Sequence, residues 1–263
     1  MSFVFAMLFR CLLMRVVDAH VHPPADGDLK RFAEACEKAG IVKCFMCGLP
    51  EGFKRTGNDV VKRAFKEYPD LVKGFGYVDL GRDPVDVVDD LYADGFVGIK
   101  LIGPPKPYDH DDYFPYYERI EKYGMVALFH TGIVARTPMD KARRVSSRNM
   151  RPAYLETIAR GFPRLKIIGA HLGHPWCEEA AVVSYHNPNV YFDISGGHTF
   201  YIALTLHRRL FYDIKPCKLL FGSDSQPGEF LKCIHFWMTV LPQIGVSDED
   251  LERIFYKNAE SLV

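Results

Sequence analysis

Val16-Val17-Asp18-Ala19-His20-Val21-His22 is a β-branched run that ends in two histidines one residue apart. Alternate residues leave a strand on the same face, so this run sets two imidazoles side by side as a clamp for a divalent cation. Working outward, three later apolar runs end in the same way. Residues 126–129 lead into His130-Thr131-Gly132, 167–170 into His171-Leu172-Gly173, and 219–222 into Ser223-Asp224. A single strand-end histidine is an ordinary hydrogen-bonded residue. Polar endings repeated on four strands call for a fold that gathers strand ends in one place.

The intervals between these runs carry helical spacing. Leu29, Phe32, Ala33, Cys36 and Ala39 recur as one helix face, and Gly40 follows as a C-cap. Further helices are expected near 57–68, 84–94, 114–123, 152–161, 177–186 and 199–211. Strand starts fall near 15, 42, 72, 96, 125, 165, 190 and 218, the period of a strand followed by a helix. Eight such units close a (β/α)8 TIM barrel of the α/β class, which needs about 250 residues. Residues 15–263 therefore read as one barrel domain, behind an apolar N-terminal extension over 1–14.

Composition narrows the partners. Thirty-three basic residues balance thirty-three acidic ones, so no global field exists to draw nucleic acid or an anionic membrane, and a small-molecule substrate is expected. Seven cysteines without paired spacing fit a reducing, cytoplasmic setting better than a disulfide framework. Cys44 and Cys47 point to opposite faces of one strand and do not form a chelating pair. The extension over 1–14 is broken by Arg10 and is shorter than the roughly 18 apolar residues of a membrane span. It is expected to pack under the barrel or at a subunit contact, which is compatible with a homodimer.

The longest interval separates the fifth and sixth strands and holds Arg136, Lys141, Arg143, Arg144, Arg148 and Arg151. It belongs to the face where barrel enzymes keep their substrate loops. One reading is a solvated basic loop; the functional one is that Arg151 and Arg136 hold a substrate carboxylate through bidentate hydrogen bonds. Lys100, at the end of the fourth strand, is expected to face the pocket and bind a substrate oxygen or pair with a carboxylate. His174, three residues beyond His171, either approaches the substrate or anchors its loop.

Asp18-Ala19-His20-Val21-His22-Pro23, Ala170-His171-Leu172-Gly173, Gly222-Ser223-Asp224 and the terminal stretch from Ile254 to Leu262 together resemble the amidohydrolase superfamily. The likeness is to its amidohydrolase-2 branch, which includes enzymes similar to aminocarboxymuconate-semialdehyde decarboxylase, and it covers residues 18–263. The resemblance implies that His20, His22, His130 and Asp224 bind one divalent metal, with zinc the expected species. His171 would be the free catalytic histidine. Three neutral imidazoles and a carboxylate suit zinc, which lowers the pKa of bound water from about 15.7 toward 7. Asp224 would take the proton from that water, and His171 would polarise the scissile carbonyl.

Binuclear relatives carry a carboxylated lysine where this chain has Lys100, but the branch holds one metal, so an unmodified lysine is expected. The leading expectation is a hydrolase that directs metal-bound hydroxide at a small amide, lactone or ester. The alternative with the same ligands is non-oxidative decarboxylation of an aromatic or enoic carboxylate. A nuclease of the TatD type shares the paired histidines but carries a glutamate in place of Lys100. A non-catalytic binding barrel would be marked by lost ligands, and none is lost.

Overall fold

The computed structural model describes residues 14–50, 52 and 57–263. Its eight strands are β1 Val16–Val21, β2 Ile41–Cys47, β3 Val72–Val78, β4 Gly98–Leu101, β5 Val126–Phe129, β6 Lys166–Gly169, β7 Val190–Asp193 and β8 Leu219–Leu220. They pair in parallel in sequence order, each with the next. The ring is drawn shut where the Ala19 N–H donates to the Phe221 carbonyl (2.8 Å) and the Asp224 N–H to the His20 carbonyl (2.7 Å). This is the expected TIM barrel.

The crossovers are helical, as right-handed parallel connections require. In order they are α1 Leu29–Lys38, α2 Asn58–Glu67, α3 Val87–Ala93, α4 Phe114–Lys122, α5 Asp140–Arg143 with α6 Tyr154–Gly161, α7 Cys177–His186 and α8 Thr199–Arg209. After β8 come α9 Phe230–Gln243, α10 Asp248–Glu252 and α11 Asn258–Glu260. Helix α1 shows how sequence sets a crossover: the Asp28 side chain caps it by accepting from the Arg31 N–H, and Leu29, Phe32 and Cys36 form its buried face.

Two apolar layers result. Val17, Phe45, Phe75, Leu128 and Ile168 are among the residues filling the barrel, where Phe45 and Phe75 stack with ring centroids 5.0 Å apart. A larger layer lies between strands and helices. Cys44 belongs to the outer layer and Cys47 to the inner one, so the two thiols do face apart. The terminal stretch serves this architecture directly: Asn258 Nδ2 donates to the carbonyls of Pro216 and Leu219, both at 2.8 Å, and ties α11 beneath β8.

Of the N-terminal extension, residues 1–13 lie outside the described residues, and Met14 packs against the outer layer. Among the described residues, no helix is long and apolar enough to cross a membrane.

Candidate active site

The ends of β1, β4, β5, β6 and β8 bring His20, His22, Lys100, His130, His171 and Asp224 to one pocket of about 250 Å3. Leu49, Ile102, Val134 and Ala135 form its apolar walls. A register irregularity between Asp18 and Val21 lets the end of β1 turn both histidines toward this space, with ring centroids 5.1 Å apart. His171 (φ 60°), Leu172 (φ 43°) and Asp224 (φ 45°) adopt left-handed backbone, which costs energy in residues with a Cβ. Local packing compensates. The His171 N–H donates to Asp193 Oδ1 at 2.9 Å, and Gly132 (φ 97°) lets the β5 loop approach so closely that a Cβ there would lie 2.0 Å from the His174 carbonyl oxygen.

Hydrogen-bond partners fix which nitrogen of each imidazole carries its proton. His22 Nδ1 lies 2.8 Å from the Cys47 carbonyl and His20 Nδ1 3.0 Å from Asp193 Oδ2. His171 Nδ1 lies 3.2 Å from the Ser195 carbonyl, and His130 Nε2 3.2 Å from the Ile133 carbonyl. Carbonyl and carboxylate oxygens only accept, so each of these nitrogens is the donor. In the neutral rings the lone pairs are then on Nε2 of His20, His22 and His171 and on Nδ1 of His130. His22 Nε2 lies 3.3 Å from Asp224 Oδ1, and His130 Nδ1 lies 3.3 Å from His171 Nε2.

Facing lone pairs repel unless a cation lies among them. The site fits a divalent metal on that ground, and the 3.3 Å between His22 Nε2 and Asp224 Oδ1 matches the edge of a tetrahedron with metal–ligand bonds of about 2.0–2.1 Å. His20, His22 and Asp224 each offer a ligand atom within 4.8 Å of the other two, so these would hold the ion. His130, the fourth expected ligand, is not in that group; its free nitrogen faces His171.

Charge follows the same pattern. Burial, then the neighbouring Lys100 charge, lowers the His20 pKa to about 3, and burial followed by His171 lowers that of His130. Both rings are therefore neutral, as ligands must be. Burial pushes the Asp224 carboxyl up, but His22, His20 and His171 beside it outweigh burial and hold it well below the usual carboxylate range. Lys100 is 1% exposed and its Nζ lies 2.9 Å from His20 Nε2, with its pKa lowered by burial.

The expected substrate arginines are elsewhere. Arg151 is bound through its guanidinium to Glu179 and lies over the Trp176 ring at 5.3 Å. Arg136 is exposed and does not line the pocket, although its neighbour Ala135 does. Arg143 pairs with Asp79 at 2.9 Å and contacts the Tyr77 hydroxyl. His174 is stacked between His198 and Tyr201 on the rim, with centroids 4.2 and 5.1 Å away, and its carbonyl accepts from the Ile133 N–H. Of the residues expected to bind substrate, Lys100 alone lines the pocket.

Three buried residues of the site escaped the sequence reading: Asp18, Asp193 and Ser195. Asp193 and Ser195 close the seventh strand as His130 and His171 close theirs, so the strand-end rule would have found them if applied to carboxylate and hydroxyl as well as to imidazole. Asp18 accepts from the N–H groups of His20 and Ser223 at 3.1 and 2.9 Å and underpins the junction of β1 with β8.

An amidohydrolase family model matches residues 49–263. The chain belongs to the amidohydrolase family. The matched span holds Lys100, His130, His171 and Asp224, and the paired histidines of β1 precede it. No curated protein matches the chain by sequence. Several solved structures share its fold. An uncharacterized TIM-barrel protein from Bordetella bronchiseptica is 18% identical with a TM-score of 0.75, over 95% of this chain and 98% of its own. A probable 2-pyrone-4,6-dicarboxylic acid hydrolase from Acinetobacter baumannii is 15% identical, TM-score 0.65, over 95% and 99%. A dihydroxybenzoic acid decarboxylase from Polaromonas sp. JS666, with bound manganese and 2-nitroresorcinol, is 16% identical, TM-score 0.65, over 95% and 97%. Barrels of this shape thus include both a probable hydrolase and a decarboxylase.

Proposed function

We propose that this amidohydrolase-family protein is a metal-dependent hydrolase of a small amide, lactone or ester that carries a carboxylate. The observation that carries the reading is where protons are held around the pocket. His171 commits its Nδ1 proton to the Ser195 carbonyl and turns Nε2 into the pocket beside His130, and Asp224 is ionised, so both face the pocket as proton acceptors. Hydrolysis needs a proton taken from water, whereas decarboxylation needs one delivered to carbon. A divalent ion held by His20, His22 and Asp224 would supply positive charge that acidifies water and polarises a carbonyl.

The chain's own residues supply the rest. Whichever of His171 Nε2 and Asp224 receives the proton from water returns it to the leaving group. His171 acts here as an acceptor; it offers an N–H to a developing oxyanion only after it has taken that proton. Lys100 is the one lysine or arginine among the described residues that line the pocket, and it faces the substrate carboxylate. With a divalent ion held by His20, His22 and Asp224, the Lys100 ammonium would be released from its 2.9 Å contact with His20 Nε2 for that task. The pocket volume of about 250 Å3 suits a small body against the apolar wall.

One observation favours a second reading. Lys100 is a buried donor whose pKa is lowered by burial, and it is the group here that could hand a proton to carbon, as decarboxylation of an aromatic carboxylate demands. The fold likeness to the Polaromonas decarboxylase supports keeping this reading.

The test is a panel of lactones, esters, amides and hydroxybenzoates offered to protein loaded with zinc or with manganese. Acid release is followed at constant pH, and headspace carbon dioxide in parallel. The hydrolytic reading expects acid without carbon dioxide; carbon dioxide from a hydroxybenzoate overturns it. Zinc suits the donor set and manganese is the ion in the Polaromonas enzyme, so elemental analysis of the purified protein identifies the native metal.

A further inference from the structure

Behind the pocket, Asp193 and Ser195 form a buried hub that touches both His20 and His171. Asp193 is 0% exposed and Ser195 1%. The Asp193 carboxylate accepts four hydrogen bonds: from the His171 N–H at 2.9 Å, the Ser195 N–H at 3.0 Å, the Ser195 hydroxyl at 2.5 Å and His20 Nδ1 at 3.0 Å. Three of these donors converge on Oδ1 and one reaches Oδ2, as suits an ionised carboxylate. Burial raises its pKa, but the hydrogen bonds from His20 and Ser195 outweigh this and hold it ionised.

The serine hydroxyl decides the remainder. Its oxygen lies 2.9 Å from His171 Nδ1 and 3.1 Å from His20 Nδ1. A hydroxyl has one proton, and Asp193 Oδ1 can only accept, so that proton goes to the carboxylate. The oxygen then turns its lone pairs to the two imidazoles. Each Nδ1 therefore meets acceptors alone: carboxylate and hydroxyl oxygen for His20, carbonyl and hydroxyl oxygen for His171. His20, His171 and Asp193 also form a group with the spacing of a cation site, and the Ser195 hydroxyl lies within hydrogen-bond distance of all three. Gly196 completes the fit, since a Cβ there would come within 2.7 Å of His171 Nδ1.

We propose that Asp193 and Ser195 are positioning residues that lock His20 and His171 together as Nδ1–H tautomers, so that one hub turns a ligand lone pair and the proton-accepting lone pair into the same pocket. This rests on the hydrolase reading for its consequence in turnover, but not for the tautomers themselves. Asp193 acts chiefly through His20 and hence on metal affinity. Ser195 acts chiefly through His171 and hence on proton transfer.

The test reads the tautomers directly in metal-free, histidine-15N-labelled protein at pH 8, by two-bond proton–nitrogen correlation, with signals assigned from single His→Gln variants. The wild type is expected to show protonated Nδ1 and bare Nε2 for both His20 and His171. Ser195→Ala, which keeps the backbone carbonyl of residue 195 on His171 Nδ1, is expected to admit a minor Nε2–H population of His171 and leave His20 in place. Asp193→Asn is expected to weaken metal binding by about 10- to 100-fold in a chelator competition. Protonated Nε2 on either ring of the wild type overturns the proposal, as does retention of wild-type tautomers and metal affinity in both variants. The wild-type spectrum requires no variant to fold, and it decides the tautomers whether or not the protein binds metal.

Discussion

The strand-end wall of the pocket and the long loop between β5 and β6 carry their polar residues in contrasting ways. On the wall, each imidazole has one nitrogen committed to a fixed acceptor and the other turned into the pocket. On the loop, Arg143 and Arg151 have their guanidinium groups committed to Asp79 and Glu179, and Arg136 is exposed. Side chains anchored on strands are pre-organised by buried partners that cannot follow them elsewhere. Loop arginines, with several rotatable bonds, satisfy themselves on the nearest carboxylate. The contrast teaches that proximity in sequence to the site is a weaker guide to function than attachment to a strand end.

The largest effects should come from the wall. His171→Asn and Asp224→Asn are each expected to lower turnover by about 10²- to 10⁴-fold on whichever substrate the panel yields. They should differ in metal content: His171→Asn keeps the ion, and Asp224→Asn loses affinity for it. Turnover of His171→Asn within a factor of three of wild type would remove that histidine from the chemistry and break the contrast.

A second effect, of a few kcal/mol, concerns the floor of the same wall. Asp18 Oδ2 has no hydrogen-bond partner among the described residues, and burial raises this carboxyl from 3.8 to about 7. The folded protein then binds more protons than the unfolded chain across that window, so Asp18 makes stability fall as pH rises from about 4 to 7, by of order 4 kcal/mol. His20 works in the opposite sense. Its pKa drops from 6.5 to about 3, the unfolded chain binds the extra proton, and stability rises across that range with pH. The two slopes oppose each other in the wild type. Asp18→Asn removes one, so thermal melts of the metal-free variant should climb from pH 4 to pH 6.5 and exceed the wild type most at pH 8. A variant no more stable than wild type at pH 8 would show that Asp18 is not a buried, strained carboxyl.

The smallest effect belongs to the loop. Arg151 is about two-fifths exposed, and its pairing with Glu179 is worth about 0–1 kcal/mol. Arg151→Ala should shift the melting temperature by no more than a few degrees and KM by less than threefold. A tenfold rise in KM would put the loop in contact with substrate and dissolve the distinction drawn here.

The barrel itself was legible because strands and helices alternate with the period of a βα unit repeated eight times, and each expected strand is present. His20, His22, His130, His171 and Asp224 were legible because each follows an apolar strand directly. Which nitrogen of His130 would be free was not, since that depends on the Ile133 carbonyl three residues later in a loop. Asp193 and Ser195 were missed for a different reason: a carboxylate and a hydroxyl at a strand end look like ordinary loop-starting residues. Their role appears only when β1, β6 and β7 stand side by side. Arg151 was expected to hold a substrate carboxylate, and its pairing with Glu179 was not legible because the two lie 28 residues apart in the chain.

The central claim is that His20, His22 and Asp224 form one cation site at the mouth of the barrel. Direct metal titration of the apo protein, repeated on His22→Ala and Asp224→Ala with folding checked by circular dichroism, tests it. One divalent ion per wild-type chain and at least a tenfold loss of affinity in each variant are expected. A folded wild-type chain that takes up neither zinc nor manganese, or variants that bind as tightly as it does, would contradict it.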